Sequence, residues 1–188
     1  MTEQELEQIY EKLLVLDARD GLPEKLFLAV SAIFPVANVD LLILDEENRV
    51  LLSWREDAYF GRGWHLPGGC LRYKETMLER VQKTAISELG TEVDANPEPL
   101  AVRDVILGKG ETEPRLRAHH LAVLYECRLR DNSVVQAQDG EEHQSGYMKW
   151  FSKLPEDILP VHDVYKDVFA KYDLLGMEKS GREASIQD

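Results

Sequence analysis

The chain has 188 residues, 44% hydrophobic and 30% charged, which is ordinary for a soluble globular protein and long enough for one real core. With 35 acidic against 22 basic residues the net charge is -13, so the surface repels nucleic acid and free phosphates alike. Nucleic acid is thereby excluded as a partner, and a phosphate-bearing substrate calls for a divalent cation.

No apolar run reaches the roughly 18 residues that a membrane span needs. The first residues, MTEQELEQIYEK, are acidic and amphipathic, the opposite of a signal peptide. Cys70 and Cys127 are too few and too far apart for a disulfide framework, which points to structural thiols in a reducing cytoplasm.

In chain order, Leu6, Ile9, Tyr10, Leu13 and Leu14 recur at helical spacing and predict an amphipathic helix over 3–16. DARDGLPE breaks it, and a second helix is expected from Glu24 to Ile33, ending before Pro35. The period then changes. NVDLLILDEENRVLLSW reads as a hairpin turning at Asp45-Glu46-Glu47-Asn48. AYFGRGWHLPGG reads as a glycine-rich loop, and 75–89 as a helix with Leu78, Val81, Ala85 and Leu89 on one face. PEPLAVRDVIL and HHLAVLYECRL are expected strands joined by the polar loop GKGETEPRLRA. A short strand near Tyr147–Phe151 and a last helix from about Val161 to Leu175 follow, and 176–188 reads as a disordered tail. Strands with one helix between them and another at the end imply an α+β fold, a mixed sheet packed between helices.

The chemistry concentrates in LPGGCLRYKETMLERVQKTAISELG, residues 66–90. Thr84 and Glu88 are four apart and share a helix face, as do Glu75, Glu79 and Lys83. The two glycines upstream allow a tight turn with a free carbonyl. A carbonyl plus a carboxylate is a hard, all-oxygen donor set suited to Mg2+ or Mn2+.

This stretch resembles the Nudix box, G-x5-E-x7-R-E-U-x-E-E-x-G-U with U aliphatic. Gly69, Glu75, Glu88 and Gly90 match it, while Lys83 stands for the arginine and Thr84 and Ser87 for two glutamates. In ordinary members those glutamates help hold two or more metal ions. The branch it looks most like is the GDP-mannose mannosyl hydrolases, on TAISELG, on Asp40 and Arg55 ahead of GWHLPGG, and on the LPEKLFLAVSAIFPVANVD leader. The resemblance covers residues 22 to about 170. It implies a Nudix-type α/β/α sandwich over 22–175, with residues 1–21 as an extra N-terminal helix.

What it implies for function is a Mg2+-dependent hydrolase of a GDP-hexose such as GDP-mannose, releasing GDP and free hexose by water attack at the anomeric carbon. One metal suffices there, because it neutralises a diphosphate leaving group. The implied ligands are Glu88, the Gly68 carbonyl and Glu142, with Arg55 on the diphosphate, Asp40 near the sugar and His120 touching substrate. If the loop EEHQSGYMKW carries an insertion, Glu142 is the ligand and His143 the base; without one, those places fall to Gln144 and Ser145. Gly69, Glu75, Lys83 and Gly90 would be structural, Glu75 and Lys83 as an ion pair. Family habit suggests a homodimer, with residues 1–16 as a contact. The rival readings are a Nudix pyrophosphohydrolase of a nucleoside diphosphate derivative and a non-catalytic ligand-binding module. His65 and His162 carry the weakest signals, and Trp64 either stacks on a base or closes its loop.

Overall fold

The computed structural model describes residues 1–108, 116–130 and 141–176. Most of the expected loop GKGETEPRLRA and all but the first residue of the expected tail lie outside the described residues. Among the described residues there are four α-helices, α1 (Glu3–Leu14), α2 (Glu24–Ser31), α3 (Met77–Leu89) and α4 (Lys166–Lys171), the last preceded by a 3-10 helix, Pro160–Tyr165. The strands are β1 (Val36–Ile43), β2 (Val50–Asp57), β3 (Gly61–His65), β4 (Gly68–Cys70), β5 (Val93–Ala95), β6 (Ala101–Ile106), β7 (His119–Leu129) and β8 (Met148–Phe151).

The expected hairpin is only half present. Its turn is at Asp45, where Asn48 takes the left-handed backbone (φ 57°) and Asp45 accepts from the Glu47 and Arg49 amides. Beyond the bridge Leu44–Val50 the two strands part into different sheets. β1 runs parallel to β7 and antiparallel to β4 in a five-stranded mixed sheet in which β7 also pairs with β5 and β6. β2 pairs antiparallel with β3 and β8 in a three-stranded sheet. The glycine-rich loop therefore contains two short strands.

The parting follows from burial on both faces of β1. Val39, Leu41 and Ile43 pack with Val81, Ala85 and Leu89 of α3, whereas Leu42 and Leu44 pack with β2 and with Tyr165 and Phe169 from the chain end. Helices thus cover the mixed sheet on both sides. Asp40 falls in the Leu42–Leu44 row, a carboxylate in a core-facing slot.

Helix α3 is bounded by its own sequence. Thr76 caps it, accepting from the Glu79 amide while the Glu79 carboxylate accepts from the Thr76 amide, and Gly90 ends it in the left-handed conformation (φ 75°). Its inner face is Arg80, Val81, Thr84, Ala85 and Leu89; Leu78, expected on that face, is 40% exposed. The helix begins at Met77, so Glu75 lies on the entering chain. Helix α1 is also closed by a capping box but buries no residue, and Leu6, Ile9, Tyr10, Leu13 and Leu14 are all exposed. The expected final helix is shorter and begins as a 3-10 turn after Leu159.

Candidate active site

The two glycines set the geometry. Leu41 donates to the Pro67 carbonyl, so the next pair, Asp40 opposite Gly68, is a non-hydrogen-bonded pair of the ladder. Both backbone groups of Gly68 therefore point away from β1. Its amide bonds to the Glu88 carboxylate, and its carbonyl is left out of the ladder. A Cβ on Gly68 would lie 2.6 Å from Asp40 Oδ1, and one on Gly69 would lie 2.5 Å from Thr84 Oγ1. Glycine is required at both places because β4 is pressed between Asp40 and α3.

Thr84 and Ser87, at two glutamate positions of the box, bring no carboxylate to the cleft. Thr84 is 2% exposed with its hydroxyl unpartnered, and the Ser87 hydroxyl donates to the Thr84 carbonyl of its own helix. Glu88 is the carboxylate that α3 contributes to the cleft. It is partly buried, and desolvation pushes it up to about 7 against the lowering pull of Arg55 and the Gly68 amide. Glu75 has the opposite fate. Arg80 holds it through Nε (2.8 Å) and Nη2 (2.5 Å), Lys83 adds a contact of 2.8 Å, and these bonds keep it down at about 2. Lys83 thus reaches Glu75, but the buried partner is Arg80, which sequence reading passed over. Glu75 also accepts from the Arg72 amide, so it latches the β4–α3 connection to the helix.

Two cavities share Arg55 and His65 as a common wall. One, of about 280 Å3, is bordered by Glu88, Ser87, Trp54, Ser145 and Gly146. The other, of about 70 Å3, is lined by Asp40, Asn38, Gly68, His120, Arg117 and His162 among others. Arg55 is anchored by Asp57 (3.1 Å) and by the face of Phe60 (5.3 Å to the centroid). Its charge pulls both Asp40 and Glu88 down and helps keep His65, His120 and His162 neutral.

Asp40 finds its partner 125 residues away. Tyr165 Oη donates to Oδ2 and Asn38 Nδ2 to Oδ1, each at 2.8 Å. Burial nevertheless raises the acid to about 6. His65 Nδ1 lies 2.7 Å from the Ser53 carbonyl, which only accepts, so that nitrogen carries the proton and Nε2 is the free acceptor. Burial holds His65 down to about 3. His162 Nε2 accepts from the Leu66 amide, leaving Nδ1 buried without a partner.

The structure thus gathers Asp40, Arg55, Gly68, Glu88 and His120 around two adjoining cavities. It does not gather Glu142, an exposed side chain whose carboxylate takes Lys149 Nζ at 2.7 Å. His143 is left-handed (φ 71°), with its ring 4.2 Å from that of Trp54, a wall of the Glu88 cleft. Trp64 is 2% exposed and packs edge-on against Trp54 and Phe151, so it closes the core. Tyr165, Asn38 and Arg117 entered the site unannounced; Asp40, a carboxylate in an apolar strand, was the only hint that a distant donor was needed.

For a metal ion the fit is that of a thin site. Among the described residues no three His, Cys, Asp or Glu side chains form a ligand cluster. Mg2+ is commonly held by one or two carboxylates, with water and substrate phosphates completing its shell. Glu88 and the Gly68 carbonyl meet that minimum for one ion.

The glycine turn, the capped helix ending in Glu-Leu-Gly and the sandwich around them define a Nudix domain, and the NUDIX family model matches residues 35–171. The chain belongs to the Nudix family. A low-salt glycan biosynthesis protein of Haloferax volcanii, Agl8, is 27% identical over 146 residues, spanning 78% of this chain and 89% of that protein. Among solved structures, a Jonesia denitrificans protein put forward as an asymmetric diadenosine tetraphosphate hydrolase superposes with a TM-score of 0.56 at 19% identity, covering 77% of this chain and 98% of that one. A MutT Nudix hydrolase from Burkholderia pseudomallei gives 0.54 at 23% identity, covering 76% and 99%. These structural likenesses establish the shared fold.

Proposed function

We propose that this Nudix domain hydrolyses a nucleotide-sugar, a GDP-hexose such as GDP-mannose, in the presence of Mg2+ (or Mn2+), releasing GDP and the free hexose. The observation that carries this reading is the thinned box helix. Thr84 is buried and Ser87 is bonded to its own helix, so Glu88 alone of the box carboxylates faces the cleft. One carboxylate suits neutralisation of a leaving diphosphate better than assembly of several metals around an attacked phosphorus. The likeness to Agl8, whose name ties it to glycan biosynthesis, supports a sugar-bearing substrate.

In this reading Glu88 and the Gly68 carbonyl hold the ion, whose chemistry is to offset the diphosphate's charge. Arg55 grips the same diphosphate through its guanidinium fork. His143, on Trp54 beside the cleft, takes the proton of the water that attacks the anomeric carbon. The C1–O bond breaks and the diphosphate leaves with the electron pair. His65 is the poorer base, since a group held at about 3 has little proton affinity. Asp40 retains lone pairs for a sugar hydroxyl beyond those used by Tyr165 and Asn38, and neutral His120 contacts the same end. The proposed assembly is a homodimer joined through the exposed apolar stripe of α1, since a 12-residue helix is marginal in water without a partner surface.

One observation favours the pyrophosphohydrolase alternative. A carboxylate raised to about 7 is itself suited to general-base work at neutral pH. Incubation with GDP-mannose, GDP-glucose and GDP-fucose in Mg2+ decides by product. GDP plus hexose supports the proposal, GMP plus sugar 1-phosphate overturns it for the alternative, and no turnover leaves a binding module.

A further inference from the structure

Arg117 lines the small cavity, which Glu88 does not border, and no part of the reaction above uses it. It stands in a left-handed backbone conformation (φ 56°), with its amide donating to Ser31 Oγ. Its guanidinium is enclosed by three rings, Phe27 at 5.7 Å, Tyr59 at 5.4 Å and Phe60 at 5.1 Å. Its Nε is buried without a hydrogen-bond partner, and among the described residues no carboxylate forms an ion pair with it. Phe60 also carries Arg55 at 5.3 Å, so two guanidinium groups crowd one ring.

The local field is accordingly positive in a chain of net charge -13. His120, whose ring packs on Phe60 at 5.6 Å, is held down at about 4 by burial first and then by Arg117, His119 and Arg55. The carboxylate on the cavity wall, Asp40, already has each oxygen bonded to Asn38 or Tyr165. Simple packing does not need two like charges at one cavity. An oxyanion between them would relieve their repulsion and satisfy the orphaned Nε. The space of about 70 Å3 is several times the roughly 10–15 Å3 that one water requires and suits a group of phosphate or carboxylate size.

We propose that Arg117, beside the diphosphate-gripping Arg55, forms a second anion subsite in the Asp40 cavity, binding a further oxyanion carried by the substrate. Resting on the nucleotide-sugar reading, this names the substrate class as an activated sugar bearing a further acidic group, either a carboxylate or a phosphate.

The test is calorimetric titration of the full chain in chelator, which removes any metal contribution at Glu88, with inorganic phosphate and with glucuronate as probes. At least one probe is expected to bind at millimolar strength, and whichever binds identifies the acidic group. Arg117→Gln should weaken that binding tenfold or more at an unchanged melting temperature. Arg117→Lys, which keeps the charge but loses the fork, should weaken it less. If Arg117→Gln does not fold, Arg117→Lys and Phe60→Leu carry the test, each expected to weaken binding severalfold. Binding of neither probe, or equal binding by wild type and the Arg117 variants, overturns the subsite. Glu88→Gln separates the two ideas: it should abolish GDP-hexose turnover and leave probe binding intact. Arg117-dependent binding in a protein that turns over no GDP-hexose, neutral or acidic, would keep the subsite and sink the reaction.

Discussion

In Glu88→Gln, a carboxylate raised from its ordinary 4.5 to about 7 is replaced by a neutral amide of the same shape. The folded value lies above the unfolded one, so folding favours the protonated acid. Below about pH 4.5 both states hold the proton and Glu88 contributes no pH dependence. As pH rises, the unfolded chain ionises first, and the native state loses stability until about pH 7, above which the loss is complete. At about 1.36 kcal/mol per tenfold change in proton affinity the full penalty is about 3 kcal/mol. Partial exposure of Glu88 reduces it to between about 1 and 3 kcal/mol. Urea unfolding in chelator near pH 5 and pH 8 measures it. Between those conditions wild type should lose about 1–3 kcal/mol relative to Glu88→Gln, while titrations common to both proteins cancel in the difference. Mg2+ at the higher pH should restore wild type and leave the variant unmoved. Parallel pH profiles, or equal stabilisation of both proteins by Mg2+, would refute a desolvated, ion-binding Glu88.

His143→Ala is expected to lower kcat by roughly 10²- to 10⁴-fold, the range of a lost general base, with Mg2+ affinity retained in a binding titration; retained turnover would move the base elsewhere. Tyr165→Phe removes the donor to Asp40 Oδ2, raising that acid further and destabilising the fold by about 1–3 kcal/mol in urea, more at pH 8 than at pH 5 because only the ionised acid needs the bond. Thr84→Val should be neutral or stabilising by up to about 1 kcal/mol, since the Thr84 hydroxyl is buried without a partner; a large loss would mean that the hydroxyl is used. Leu13→Lys on α1 should halve the molecular mass seen by light scattering if that helix joins two copies, and an unchanged mass would exclude it.

Local order was legible wherever the causes are local. The span of α3 follows from Thr76, Glu79 and Gly90 with an apolar repeat between them, and the Asp45 turn from short polar side chains. The candidate site was legible along the box in its geometry, because spacing within one glycine turn and one helix fixes how Gly68, Glu75 and Glu88 lie relative to one another.

What lies across the chain was not. The separation of β1 and β2 into two sheets, the pairing of Asp40 with Tyr165 and the place of Arg117 beside Phe60 all depend on segments remote in sequence. By itself the sequence determined the first three helices, the turn and the family, and singled out the carboxylate at the end of α3 as a candidate. Tertiary structure alone decided which side chains share a cavity and which carry a shifted charge. The physical reason is that periodicity and capping act over a few residues, whereas desolvation and the fields that move a pKa arise only when distant strands and helices close over the same group.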